Sequence, residues 1–304
     1  MSRSRHITIW VFLSGSDPYL RGIMIDSVWL LFAIGLLVGG LGTLIGAGGG
    51  FILVPVLLFL YPKLEPDSIT AISMAIVACN AVSGTVAYAR AQRVDYKAGI
   101  QFAVFTIPGS ILGVMITRFI SRTLFSVVFG ALLILLAVYL ILKRKEQHKI
   151  PVNKGYGKST QVRILTDRRG ETYRYSFNKY IGWGISLAVG FISPILGIGG
   201  GIIHVPALIN WLQFPVHIAT ATSHFILAIM SMVSVVVHMV QGSYQDPAIQ
   251  RMVLGLGAGA IIGAQVGAYF SHRIRGRAIE RALAVSLGLV GMRILLGQIL
   301  HLQH

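Results

Sequence analysis

Gly48, Gly49 and Gly50 stand together in Gly46-Ala47-Gly48-Gly49-Gly50-Phe51-Ile52-Leu53-Val54-Pro55, and Gly199, Gly200 and Gly201 stand together in Gly197-Ile198-Gly199-Gly200-Gly201-Ile202-Ile203-His204-Val205-Pro206. Each triplet interrupts a long apolar stretch. A glycine break that opens a new helix aims backbone N–H groups and the positive end of the helix dipole at one point. The missing Cβ lets an oxyanion come close to that backbone. The chemistry such residues can do is anion binding by the main chain. Glycine also serves close helix packing, and the four-residue spacing of Gly255, Gly259, Gly263 and Gly267 fits that use. Three adjacent glycines break a helix and suit a binding site better. Pro55 and Pro206 follow at equal distances, and each should bend or stop a short helix.

Other polar residues in apolar surroundings fall near these breaks. Ser73 and Thr222-Ser223-His224 occupy matching places in the segment after each triplet and could offer hydroxyl or imidazole donors. The competing reading is that such groups bond their own backbone or a neighbouring helix. Asn80 lies about a turn and a half beyond Ser73. His204 stands where the first copy has Leu53; a histidine there can bind an anion, take up a coupling proton, or simply hydrogen-bond inside the core. His238 stands opposite Tyr88. Arg293 has no counterpart in the first copy, and snorkelling or pairing with carbonyls suits it better than a substrate contact.

The chain has ten acidic residues: Asp17, Asp26, Glu65, Asp67, Asp95, Glu146, Asp167, Glu171, Asp246 and Glu280. All fall in expected loops or at segment ends. A carboxylate-lined cation site or proton relay at membrane depth therefore has no candidate. No nucleophile–base pair points to an enzyme, and the glycine runs lack the Lys and Ser/Thr of a P-loop. One cysteine, Cys79, excludes an intramolecular disulfide framework and a cysteine metal cluster. Neither a cofactor nor a metal is expected.

The elements that position these residues follow from hydropathy. Of 304 residues, 55% are hydrophobic and only 12% charged, against about 25% charged in ordinary soluble chains. This is the composition of a polytopic all-α membrane protein. The net charge of +16 fits loops facing anionic lipid rather than nucleic acid. Ten apolar segments run roughly over 25–46, 50–61, 67–89, 97–118 and 123–143, then 180–198, 201–212, 217–241, 248–270 and 279–300. Most reach the ~20 residues of a spanning helix, and the pieces after each triplet are half-helices. The halves match at an offset of 150 or 151, as Thr70-Ala71-Ile72-Ser73 does with Thr220-Ala221-Thr222-Ser223. The expected organisation is a surface segment over 1–24, a first repeat over 25–143, a basic connector over 144–178 and a second repeat over 179–300. Each repeat has about five segments: four spanning helices plus a short glycine-broken half-helix.

Lysine and arginine set the orientation. Residues 143–179 carry eleven of them, which places the connector in the cytoplasm. Five crossings per repeat would invert the second repeat relative to the first; re-entrant half-helices would instead make the repeats parallel. Within the connector, Val162 and Ile164 alternate with polar residues, Asp167-Arg168-Arg169-Gly170 makes a turn, and Tyr173, Tyr175 and Phe177 alternate again. This predicts a small cytoplasmic β-hairpin, acting as a lid, as a homodimer contact or as a surface closure.

The doubled triplet-to-Val-Pro motif, the Thr222-Ser223 pair and Val94-Asp95-Tyr96 resemble the sulfite exporter TauE/SafE family over roughly 30–300, the connector excepted. That resemblance implies a prokaryotic inner-membrane permease for sulfur-containing anions such as sulfite, sulfoacetate or other organosulfonates, commonly moved outward. One departure is Ala71-Ile72-Ser73, where a Thr-Ser pair is common in the family. The expectation is a secondary transporter working by alternating access. Its site comprises Gly48, Gly49, Gly50, Ser73, Asn80, Gly199, Gly200, Gly201, His204, Thr222, Ser223 and His224. The expected partners are the small sulfur oxyanion or sulfonate and membrane lipid; coupling to protons and a homodimer both remain open. An anion channel and a membrane subunit of a larger assembly are the alternatives at this point.

Overall fold

The computed structural model describes residues 27–142, 159–271, 285 and 287–297. The N-terminal surface segment, the first part of the connector and the arginines at 273–281 lie outside these residues. The elements are α1 (Val28–Ile45), α2 (Gly50–Leu60), α3 (Pro66–Arg90), α4 (Tyr96–Thr117) and α5 (Arg122–Leu142), then β1 (Thr160–Thr166) and β2 (Thr172–Asn178). They continue with α6 (Lys179–Leu196), α7 (Gly201–Asn210), α8 (Val216–Val240), α9 (Pro247–Phe270) and α10 (Leu287–Gly297). Seven of the described helices, all but α2, α7 and α10, are long and apolar enough to cross a membrane. At 11 and 10 residues, α2 and α7 are only about 15 Å long, half the hydrocarbon core.

Local chemistry sets the helix ends. Pro66 and Pro247 sit in the first turns of α3 and α9, where no N–H is needed. Asp95, Asn178 and Asp246 accept from the N–H groups of Ala98, Tyr180 and Ala248, capping α4, α6 and α9. Gly46 and Gly197 end α1 and α6 in the left-handed conformation, at φ +86° and +66°. Pro55 and Pro206 do not stop α2 and α7, which run on to Leu60 and Asn210. The loss is one intrahelical bond each, and the buried packing of both helices tolerates it.

The packing crosses between halves. α1 lies along α9 and α6 along α4, while α3 and α8 pack together at the centre. α3 is the most enclosed span, 78% buried over its apolar window. At the α1–α9 seam a Cβ on Gly259 would strike the Phe32 carbonyl, and one on Gly263 that of Leu36. These glycines therefore serve close backbone approach, as their spacing predicts. α3 and α8 run antiparallel: Asp67, at the start of α3, meets Ser243, just past the end of α8. At the other end the N–H of Asp95, just past α3, donates to Thr222 Oγ1 in the first turns of α8.

The hairpin forms as the alternation predicts, with Thr160 paired to Asn178 and Thr166 to Thr172 in antiparallel register. Its inner face carries Tyr175 and Phe177, which pack with Phe102, Phe214, Leu208 and Leu212. Buried polar contacts dock it as well. Arg93 pairs with Asp167 at 3.2 Å and Arg163 with Asp95 at 3.4 Å. Tyr175 donates its hydroxyl to Asp95 Oδ2 at 2.7 Å.

Candidate functional site

The two glycine breaks meet. A Cβ on Gly50 would strike the Gly197 carbonyl oxygen, and one on Gly201 would strike that of Gly46. The contact is reciprocal, as for two halves facing across a shared axis. Gly48 and Gly49 have φ of +78° and +84°, and Gly199 and Gly200 of +80° and +68°. L-residues rarely enter this region, so the turns need glycine. α2 and α7 both begin at this crossing, so their dipoles have their positive ends there.

The backbone at the breaks keeps free donors. The N–H groups of Gly49, Gly50 and Phe51, and of Gly199, Gly200 and Ile202, find no acceptor among the described residues. All six residues are buried. Buried amides without partners are uncommon and costly. Six in one region form a concentrated set of donors.

Ser73 is at the crossing and donates to the Gly197 carbonyl at 2.5 Å. Ser223, its counterpart, is fully buried and its hydroxyl has no partner. The remaining predicted residues divide by direction. Asn80 donates to the Gly39 carbonyl at 2.9 Å and accepts from Thr43 Oγ1 at 2.6 Å, so it fastens α3 to α1. His224 Nε2 lies 3.4 Å from the same Thr43 hydroxyl, and its ring stands edge-on to Tyr88 at 5.3 Å. Thr222 holds the start of α4, its Oγ1 accepting from the Asp95 N–H at 3.1 Å. His204 turns toward α6 and α4, with Nε2 3.4 Å from Ser186 Oγ and its ring near Phe102. Its Nδ1 has no partner. Arg293 is exposed and lies over the Phe59 ring at 4.8 Å, away from the site.

Apolar side chains cover the breaks. A Cβ on Gly48 would meet Leu227 and Val77, and one on Gly199 would meet Val77. Met74, Val77, Ala81, Leu227, Ala228 and Met230 form one buried cluster there. In this conformation the donors are closed off.

Two polar assemblies mark the ends of the α3–α8 pair, and hydropathy alone did not reveal either. At one end His238 Nδ1 lies 3.2 Å from Ser243 Oγ and 3.6 Å from Asp67 Oδ1, with Ser243 donating to Asp67 Oδ2 at 2.8 Å. At the hairpin end, burial works against the charged form of Asp167. The N–H groups of Arg169 and Glu171 and the Arg93 guanidinium outweigh it and hold the carboxyl below its usual range. Burial first, then the Glu171 carboxylate, pushes the Tyr173 hydroxyl up to about 12.

Comparisons with known proteins agree with this architecture. A family model described as sulfite exporter TauE/SafE matches residues 31–294. The probable membrane transporter protein YunE of Bacillus subtilis is 34% identical over 272 residues, covering 88% of this chain and 96% of its own. A probable membrane transporter protein of Methanocaldococcus jannaschii is 25% identical over 281 residues, covering 88% of this chain and 95% of its own. No solved structure matches.

Proposed function

The chain belongs to the sulfite exporter TauE/SafE family of membrane transporters, and on that premise we propose that it exports a small sulfur-containing anion, sulfite or an organosulfonate, around the crossing of its two glycine breaks. The observation that carries this reading is the set of six unpartnered, buried N–H groups at the facing starts of α2 and α7. They suit an oxyanion, because each donor meets acceptor oxygens and both helix dipoles favour negative charge. Ser223, the repeat counterpart of Ser73, adds a buried hydroxyl without a partner. Asn80, Thr222 and Ser73 act by holding the surrounding helices, and His224 stands on the hairpin side of the crossing.

The same geometry supports alternating access. The Met74–Val77–Leu227–Met230 cluster closes the donors, so a solute reaches them only when the packing of α3 against α8 changes. The antiparallel run of these matched helices supports two repeats of opposite orientation rocking about the crossing. The hairpin end faces the cytoplasm on the lysine and arginine content of the connector.

The test is flux of radiolabelled sulfite, and of taurine and sulfoacetate, in proteoliposomes. Saturable flux with counterflow supports the carrier. Large single-channel currents would replace it with an open pore. Flux of a carboxylate or halide but of no sulfur compound would overturn the substrate assignment.

A further inference from the structure

A second polar feature lies away from the glycine breaks. At the hairpin end the last turns of α3 and α9 and the hairpin turn surround a cavity of about 560 Å³. Four arginines line it: Arg90, Arg93, Arg168 and Arg169, with Asp167 the one carboxylate. Asp167 is committed to Arg93 and to the N–H groups of Arg169 and Glu171. The guanidinium groups of Arg90, Arg168 and Arg169 have no carboxylate or hydrogen-bond partner among the described residues. Glu171 does not line the cavity, and its carboxylate accepts from the Tyr173 hydroxyl at 2.5 Å. Three unbalanced positive charges around one concavity repel one another, and a bound anion relieves that repulsion.

The floor of the cavity gives the charge its direction. Tyr88 lines it and is 3% exposed. The Tyr88 hydroxyl donates to the Thr43 carbonyl at 2.9 Å, and its ring stands against His224 at 5.3 Å. One aromatic ring thus separates the arginines from the Thr43–His224 pair. Thr43 precedes the Gly46 break by less than one turn.

We propose that this cavity is a recruiting site for a small solute oxyanion, an antechamber in which Arg90, Arg168 and Arg169 collect the anion before it passes Tyr88. Its use in transport rests on the reading above; the binding itself does not. Its volume suits ligands from hydrated sulfite to an organosulfonate, within the range of ordinary small-molecule sites. The phosphate of an anionic lipid shares the chemistry. The placement of Tyr88 and His224 beneath the arginines favours a solute on its way inward.

Equilibrium dialysis of radiolabelled sulfate against the full-length protein in detergent, at constant ionic strength, tests the site without any flux. Wild type should bind saturably, with sulfite competing. Arg90→Gln/Arg168→Gln/Arg169→Gln should weaken binding by about tenfold or more, as expected when charge-assisted contacts are lost. Arg168→Gln/Arg169→Gln alters two exposed side chains without partners, so it keeps the fold and should weaken binding by a smaller factor. Equal sulfate binding by wild type and either variant overturns the proposal. So does a wild type that binds no sulfate but retains phosphatidylglycerol through purification in an arginine-dependent way, because the site then belongs to lipid. Arginine-dependent sulfate binding without sulfite flux in proteoliposomes would leave this site standing and remove the transport reading; flux without such binding would do the reverse.

Discussion

Ser73 donates its hydroxyl to the carbonyl oxygen of Gly197 at 2.5 Å, joining the central helix of one half to the glycine break of the other. The matching hydroxyl, Ser223, is buried and unpartnered. Two residues related by the internal repeat therefore do different work. Removing Ser73 leaves a buried carbonyl without its donor, which costs about 1 kcal/mol or more. Removing Ser223 leaves nothing unsatisfied. Ser73→Ala should lower the melting temperature of the purified protein, whereas Ser223→Ala should leave it unchanged and weaken sulfite binding. Equal melting temperatures for the two variants would contradict this division.

The glycines of each break divide in the same manner. Gly48 and Gly199 have positive φ; a Cβ on Gly48 meets the flexible end of Leu227, Cδ2 at 2.8 Å, whereas one on Gly199 meets both methyls of the stiffer Val77, at 2.9 and 3.0 Å, and the Ala47 carbonyl oxygen at 3.2 Å. At Gly48 the penalty for alanine is then mainly left-handed strain, about 1–2 kcal/mol, and at Gly199 crowding adds to it. Gly50 and Gly201 have ordinary φ, yet a Cβ there strikes a backbone carbonyl of the opposite break. Backbone cannot step aside without separating the two halves. Gly48→Ala and Gly199→Ala should elute as folded protein in detergent with impaired flux. Gly50→Ala and Gly201→Ala should fail to assemble. Size-exclusion profiles of the four variants decide whether steric or conformational strain dominates.

Much of this architecture is legible in the sequence. The stretch expected over 67–89 is Pro66–Arg90, and that over 217–241 is Val216–Val240. Bilayer thickness fixes span length, and glycine triplets mark where a span must break. Side-chain partnerships are less legible. α3 is apolar almost all round, so no one-sided pattern tells which face Asn80 or Ser73 presents. Rotation about the helix axis is set by packing contacts with other helices, such as that of Gly84 on α3 against the His224 ring. Thus Asn80 fastens to Thr43 and Gly39, and Thr222 serves the α4 cap. The alternation of Tyr173, Tyr175 and Phe177 gave the hairpin, because a half-buried strand keeps its period. It could not give Arg93 to Asp167, a pairing across 74 residues.

That pairing has a pH signature. Asp167 is held below the usual carboxylate range in the folded chain. A depressed pKa contributes stability above the unfolded value, about 3.9, and loses it as pH falls through the folded one. Docking of the hairpin should therefore be insensitive to pH from neutrality down to about 5 and weaken only below about 3.9. Asp167→Ala should undock it at neutral pH, because Arg93, 8% exposed, would be left buried without its partner at a cost of about 3 kcal/mol. Hydrogen exchange over residues 160–178, corrected for intrinsic rates, reads both effects. Protection lost already near pH 6 in wild type would show that another group governs docking.

Tyr88 closes the passage between the arginine-lined cavity and His224, and it does so with two separable parts. Its hydroxyl ties α3 to α1 through the Thr43 carbonyl at 2.9 Å, a bond worth about 1 kcal/mol. Its ring, edge-on to His224, fills the space. Tyr88→Phe removes the tie and keeps the barrier; Tyr88→Ala removes both. The single cysteine makes the difference measurable. In a Cys79→Ala background, His224→Cys should react slowly with an anionic methanethiosulfonate when residue 88 is Tyr or Phe. With Tyr88→Ala the reaction should quicken about tenfold or more, the effect of lowering an access barrier by about 1.4 kcal/mol. Acceleration by Phe equal to that by Ala would mean that the hydroxyl tie, not the ring, holds the passage shut. No acceleration by either would place the barrier elsewhere.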